Sequence, residues 1–153
     1  MKIKHYLIFV SFLFSFIIFM PSLSHARTMT SKDEVARGDN YYYGRNGVKQ
    51  DYAKAAYWFQ KSAAQGDAAA QAWLGYIYKA GQGVPLDYSQ AAYWYQKSAN
   101  QGYSYAENNL GVLYYNGQGV PKDYSLAVYW LKKAVAQGDA AARQNLNVIT
   151  QQH

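Results

Sequence analysis

The stretch Ala70-Gln71-Ala72-Trp73-Leu74-Gly75-Tyr76-Ile77-Tyr78, followed by Gly81-Gln82-Gly83-Val84-Pro85 and Asp87-Tyr88, decides the fold, because it returns 36 residues later. The second copy reads Ala106-Glu107-Asn108-Asn109-Leu110-Gly111-Val112-Leu113-Tyr114, then Gly117-Gln118-Gly119-Val120-Pro121 and Asp123-Tyr124. Asp51, Asp87 and Asp123 keep the interval, as do Trp58, Trp94 and Trp130, and Gly66, Gly102 and Gly138. No insertion or deletion is visible between these markers. A fixed period of this size marks a stacked-repeat architecture. Such arrays are quasi-one-dimensional and present extended concave surfaces, so the expected activity is binding rather than chemistry.

Each unit reads as two helices. Ala70, Leu74, Ile77 and Tyr78 recur at i, i+4, i+7 and i+8, one face of a helix, and Ala106, Leu110, Leu113 and Tyr114 repeat the pattern. Gly81 and Gly117 suit the left-handed conformation that ends a helix. The prolines push Val84 and Val120 towards extended geometry. Asp87 and Asp123 then stand as N-caps of second helices. Tyr88, Ala91, Ala92, Tyr95 and Ala99 mark the inner face of one of them, which stops at Gln101-Gly102. Gly75 and Gly111 sit inside helices, where glycine costs about 1 kcal/mol relative to alanine. A cost borne twice in register predicts close backbone contact with a neighbouring helix. The expected fold is all-α: a solenoid with units at about 32–67, 68–103 and 104–139, closed by a half-unit at 140–150.

These residues, with Ala91-Ala92, Trp94-Tyr95 and Lys97-Ser98-Ala99-Asn100-Gln101-Gly102, resemble Sel1-like repeats, relatives of the tetratricopeptide repeat. The resemblance spans nearly all of residues 27–153. The first unit departs from it, with Gly38-Asp39 where Leu-Gly is expected and a capping box between Ser31 and Glu34. The last half-unit has Leu146-Asn147 and is polar through Arg143, Gln144, Asn145 and Gln151. Both departures fit end caps, which need a soluble outer face.

The first 26 residues read as a signal peptide rather than as part of the fold. Lys2, Lys4 and His5 precede an uninterrupted apolar and small-residue run from Tyr6 to Met20, and Ser24-His25-Ala26 has small residues at the −3 and −1 positions. The run is shorter than the roughly 20 residues of a membrane span. Cleavage after Ala26 predicts a periplasmic or secreted domain of residues 27–153, without a membrane span. Losing Lys2 and Lys4 takes the formal charge from +6 to +4. No basic stripe is visible, so nucleic acid is not an expected partner. There is no cysteine, so neither disulfides nor a lipid-anchoring cysteine contribute.

The residues of common enzymes are missing. His5 and His25 fall in the signal peptide and His153 is the last residue. A domain without internal His or Cys lacks the usual metal ligands and the usual general base. There is no G-x-S-x-G elbow, and no serine has lysine three positions later. The Gly-Gln-Gly-Val-Pro segments lack the lysine of a phosphate loop and recur as turns. The carboxylates Asp51, Asp67, Asp87, Asp123 and Asp139 occupy cap positions, and Glu107 is placed to complete a capping box with Ser104. No catalytic residue, metal or cofactor is expected.

The candidate ligand surface comes from positions that packing leaves free. Opposite the core face of the first helices lie Ala69, Ala72, Tyr76 and Lys79, then Tyr105, Asn108, Val112 and Tyr115. The corresponding set of the first unit is Asp33, Ala36, Asn40 and Tyr43, and that of the last is Ala141, Gln144 and Val148. The resemblance places this set on the concave face. The candidate ligand-binding residues are therefore Tyr43, Trp73, Tyr76, Lys79, Tyr105, Asn108, Val112 and Tyr115, with Trp73 near the core edge. Exposed aromatics beside a cation suit capture of a protein or peptide. The resemblance implies an exported adaptor or scaffold active in envelope regulation or host interaction. A β-lactamase-like or penicillin-binding enzyme, as implied by cysteine-rich relatives, is one alternative. A module for peptidoglycan or another cell-envelope glycan is the other.

Overall fold

The side-chain pattern folds into seven helices in the computed structural model, which describes residues 29–152. Residues 1–28, where the signal peptide is expected, and His153 lie outside the described residues. The helices are α1 (Ser31–Tyr43), α2 (Tyr52–Ala64), α3 (Ala68–Ala80), α4 (Tyr88–Asn100), α5 (Ser104–Asn116), α6 (Tyr124–Ala136) and α7 (Ala140–Gln151). There is no strand among the described residues, and no helix among them is long and apolar enough to cross a membrane.

Each pair packs within its unit, α1 on α2, α3 on α4 and α5 on α6; the units then join through α2–α3, α4–α5 and α6–α7. Across the array α3 reaches α5 and α5 reaches α7, while the second helices make no comparable contact with one another. The first helices therefore lie on the inner, concave side. On their core faces Leu74 and Ile77 are buried in one cluster with Phe59, and Leu110 and Leu113 in another with Tyr95, as their spacing requires.

The glycines inside the first helices make the expected close approach. A Cβ on Gly75 would fall 2.6 Å from Tyr95 Cδ1, and one on Gly111 would fall 2.8 Å from Leu131 Cγ. Gly38 meets Phe59 in the same way, at 2.6 Å from Cε1. Gly38 is therefore the counterpart of Gly75, 37 rather than 36 residues before it. The loop from Gly44 to Gln50 is one residue longer than the loop from Gly81 to Leu86, so α1 is offset by one position from the periodic frame. Gly38-Asp39 is not a substitute for Leu-Gly, and the first-unit positions assigned by simple subtraction shift accordingly.

Two caps differ from the sequence reading. The capping box of α1 is formed by Thr30 and Asp33, not by Ser31 and Glu34. At α5 the N-cap is Tyr103, without a side-chain bond, and Glu107 does not cap Ser104. Both glutamates turn inward instead. Glu34 accepts from Gln65 Nε2 at 2.6 Å, and Glu107 accepts from Gln137 Nε2 at 2.7 Å with Lys133 Nζ 3.1 Å away. Gln71 holds the same place in the second unit, accepting from Gln101 Nε2 at 2.8 Å. Asp51, Asp67, Asp87, Asp123 and Asp139 all cap helices, accepting from main-chain N–H groups.

Candidate functional site

The inner side of the first helices carries an aromatic cavity. Its volume is about 480 Å³, and it is lined by Tyr42, Tyr43, Ala69, Ala72, Trp73, Tyr76, Tyr103 and Tyr105. The end of α1 supplies Tyr42 and Tyr43, one face of α3 supplies Ala69, Ala72, Trp73 and Tyr76, and the start of α5 supplies Tyr103 and Tyr105. Two alanines on α3 leave the room that six aromatic rings enclose.

Packing fixes the walls on the α1 side. Trp73 stacks on Phe59 with centroids 5.1 Å apart and planes 8° from parallel, and it meets Tyr42 at 4.8 Å. Tyr76 stands edge-on to Trp73 at 6.0 Å. Such offset and edge arrangements are the favoured geometries of ring pairs. Tyr42 Oη donates to Gln82 Oε1 at 2.7 Å, which ties the end of α1 to the loop after α3. Burial, followed by the neighbouring Tyr76 hydroxyl, holds the Tyr42 phenol well above its ordinary pKa. At the rim Tyr43 and Tyr105 are 45% and 41% exposed, and Arg45 lies over the Tyr43 ring at 4.2 Å.

Next to the cavity, outside its lining, lies a polar group of side chains. Lys79, one turn after Tyr76 and half-buried, donates to Asn109 Oδ1 at 2.7 Å. Asn109 Nδ2 donates to the Tyr105 carbonyl at 2.8 Å, which fixes the amide. Burial draws the Lys79 pKa below the usual lysine range. Beneath Tyr105 lies Tyr95, fully buried, with its ring 6.3 Å away. Burial first, then the Tyr105 hydroxyl, push the Tyr95 phenol far up. Its Oη is buried beside that hydroxyl and has no other polar neighbour among the described residues. On α1, Asp39 Oδ1 is also buried without a partner; burial raises its pKa more than nearby Arg45 lowers it.

Of the eight residues singled out from sequence, Tyr43, Trp73, Tyr76 and Tyr105 line this cavity together. Lys79 stands next to it, held by Asn109. Asn108 is not on the open surface: it is 8% exposed and accepts from Asn145 Nδ2 at 2.8 Å, joining α5 to α7. Tyr115 lies further along the array, where its hydroxyl donates to Gln152 Oε1 and Lys122 sits over its ring. Val112 is half-buried and outside the cavity. Ala72, placed outward by helical angle, is 2% exposed and belongs to the buried cluster that holds Tyr95, Ala106 and Leu110. Tyr42, Tyr103 and Asn109 were missed. The one-residue offset hid Tyr42, Tyr103 precedes its helix and so escapes a helical wheel, and Asn109 is marked by no period. Among the described residues no three His, Cys, Asp or Glu side chains come together as metal ligands would.

Residues 34–67, 68–103 and 104–139 each match the Sel1 repeat model. Among solved structures, a Sel1 repeat protein from Oxalobacter formigenes is 36% identical, with a TM-score of 0.70; the match covers 76% of this chain and 87% of that one. A protective antigen of uropathogenic Escherichia coli strains displaying an SLR fold is 34% identical over 80% of this chain, with a TM-score of 0.74. The match spans only 26% of that antigen's length. Cysteine-rich protein B of Helicobacter pylori shares the fold at 22% identity, with a TM-score of 0.61 over 78% of this chain and 98% of that one. No curated protein matches the sequence.

Proposed function

Since this chain belongs to the Sel1 repeat family, whose solenoids commonly serve as protein-binding scaffolds, we propose that it is an exported adaptor that captures a segment of another protein in its concave cavity. One observation carries the reading: six aromatic rings from three successive first helices enclose about 480 Å³ of open space. A pocket of that size, mainly apolar and edged by a few polar groups, is the usual form of a binding site. Tyrosine and tryptophan bury large areas at small entropic cost, which suits them as anchors.

The test is a double substitution, Tyr76→Ala with Tyr105→Ala. Each good anchor contributes about 2 kcal/mol or more, so captured partner should fall several-hundred-fold in affinity while helix content persists. The exposed second-helix residue Gln60 serves as control through Gln60→Ala. Loss of binding in the control alone would move the site to the convex face.

A glycan ligand is the second reading, favoured by a separate observation. Tyr57, Tyr93 and Tyr129 are 55%, 49% and 52% exposed on the second helices, each with a lysine 5.0 to 5.8 Å from its ring. Retention on purified peptidoglycan that Tyr93→Ala abolishes and the Tyr76–Tyr105 pair leaves intact would favour it. Export rests on the Lys-flanked apolar run ending at Ala26. N-terminal sequencing of the protein from its native compartment should begin at Arg27; recovery of Met1 from a membrane fraction would overturn that part.

A further inference from the structure

We propose that Asn46-Gly47, in the loop between α1 and α2, is a self-modifying site, where the asparagine loses its amide without an enzyme and leaves a carboxylate at the rim of the cavity. The dipeptide occurs twice in the chain, here and at Asn116-Gly117. The fold opens one copy to the reaction and closes the other.

The reaction needs a free main-chain nitrogen next to a side-chain amide. The Gly47 nitrogen gives up its proton and bonds to Asn46 Cγ. The bond from Cγ to Nδ2 breaks, and the amide nitrogen leaves as ammonia with that proton. The product is a five-membered cyclic imide, which water opens at either carbonyl. Opening at Cγ yields aspartate. Opening at the main-chain carbon yields isoaspartate, with the backbone rerouted through Cβ and Cγ. Nothing is oxidised or reduced, and water is the co-reactant. Glycine favours the step because it has no Cβ to shield its nitrogen.

Asn46-Gly47 meets these needs. Val48 N–H donates to the Arg45 carbonyl at 3.2 Å, and the two residues between them have positive φ, 54° at Asn46 and 78° at Gly47. That is the pattern of a type I′ turn, which favours asparagine followed by glycine. The Gly47 N–H donates to no acceptor among the described residues. Residues 43–47 are exposed, and a Cβ on Gly47 would meet nothing within 4 Å. The nitrogen is therefore open to water and to the base that takes its proton. The Asn46 side chain is held by one exposed hydrogen bond, from Nδ2 to Asn40 Oδ1 at 2.8 Å.

Asn116-Gly117 fails the first requirement. Asn116 is the last residue of α5, and the Gly117 N–H donates to the Leu113 carbonyl as the cap of that helix. A Cβ on Gly117 would lie 3.1 Å from Lys122 Cβ, so the chain packs against this glycine. Ring closure there must first break the cap and unwind the helix end.

The place of Asn46 gives its conversion a consequence. The new carboxylate adjoins Arg45, whose guanidinium lies over Tyr43 and acts on Asp39. It also ends the bond to Asn40, since a carboxylate has no proton to donate to Oδ1. Asn40 supplies the carbonyl that accepts from Gly44 and Arg45 at the end of α1, the helix that carries Tyr42 and Tyr43. The charge at one wall of the cavity thus changes with the age of the molecule.

The test is peptide mapping by mass spectrometry of the purified protein, held at mildly alkaline pH and sampled over time. Cleavage after Arg45 and Lys49 isolates Asn46, and cleavage after Lys97 and Lys122 isolates Asn116, so each conversion is read separately. Acid should accumulate about tenfold faster at Asn46 than at Asn116, the factor in rate that one cap hydrogen bond makes. In denaturant the two rates should converge, because the unfolded chain frees both glycine nitrogens. The Asn46 product should accept methyl groups from an isoaspartyl methyltransferase. Asn46→Gln should remove the acidic species seen on isoelectric focusing, and Asn116→Gln should leave it. No conversion at Asn46, or equal rates at the two sites in the folded protein, overturns the proposal. A ratio that survives unchanged in denaturant overturns it as well, because the difference then lies in the neighbouring sequence and not in the fold.

Discussion

The second and third units share one backbone plan and close it differently. At one slot the second unit has Gln71, which donates to the Ala63 carbonyl at 3.4 Å and accepts from Gln101. The third unit has Glu107, fully buried, which accepts from Gln137 through one oxygen and leaves the other to Lys133. The lysine of the second unit, Lys97, forms no ion pair among the described residues and lies over Tyr93 and Trp94 at 5.0 and 5.5 Å. The geometry demands a polar, hydrogen-bonded group at this slot. It does not demand a charge. An amide meets the demand without a counter-ion, whereas a buried carboxylate makes the third unit dependent on its lysine.

The comparison can be broken first at the core, where the two units should behave alike. Leu74 and Leu110 hold one position and are 3% and 0% exposed. Leu110→Ala should cost about 4 kcal/mol and Leu74→Ala a similar amount, within the spread seen for buried leucines. Chemical denaturation reads both. A midpoint unmoved by Leu110→Ala would mean that the third unit does not fold with the stack.

The lysines should then separate the units. Lys133→Ala strands the Glu107 carboxylate and should cost about 3 kcal/mol, the low end for a broken buried pair because Lys133 itself is partly exposed. Lys97→Ala loses only contacts over two rings and should cost less than about 1 kcal/mol. Adding Glu107→Gln to Lys133→Ala should recover most of the loss, turning the third unit into a copy of the second. Equal costs for the two lysines would refute the idea that the carboxylate creates the dependence.

The smallest effects concern two aspartates of the first unit. Asp39 takes the position of Tyr76 and Val112, and burial raises its pKa. An acid with a raised pKa binds its proton more tightly when folded. Its burden on stability is therefore full at neutral pH and lifts as pH falls through the raised value towards 3.8. Asp39→Asn should raise the melting temperature at pH 7 slightly, with the gain vanishing below pH 3.8. Asp51 is the reverse case, its pKa lowered chiefly by the Lys54 amide it caps. Its contribution is present above 3.8 and is lost as pH falls through the lowered value. Asp51→Ala should lower the melting temperature at pH 7 and converge with the parent in acid. Shifts of the same sign in both variants would contradict the two assignments.

How much of this was legible follows from which interactions repeat. Asp87 before Tyr88, the Gly81–Pro85 turn and the glycines facing Tyr95 and Leu131 express contacts that every unit makes with itself or its neighbour, so periodicity exposes them. The lengthened loop from Gly44 to Gln50 is invisible to that approach, because Asp51 restores the register after it, and the error carried Tyr42 out of the candidate set. Asn108 and Asn109 are adjacent in sequence and alike in chemistry. One is claimed by Asn145 of α7 and the other by Lys79 of α3. Only the packing of three helices separates their roles. The same holds for Glu34 and Glu107, whose position near a helix start suggests capping until Gln65 and Gln137 are brought opposite them.

The glycines of the turns set a mechanical quantity. A Cβ on Gly83 would run into the Tyr52 carbonyl carbon and the Ala53 nitrogen, and one on Gly119 into the Tyr88 carbonyl, whereas one on Gly47 would meet nothing within 4 Å. Each interior turn thus rests directly on the backbone at the start of the previous unit's second helix. The absent side chain acts as a spacer of zero thickness. It fixes how far one unit tilts on the next, and through that tilt the radius of the concave face and the gap between the rings of α1, α3 and α5. A methyl group at Gly83 would wedge the joint open on one side, making the arc a dial that a single position turns.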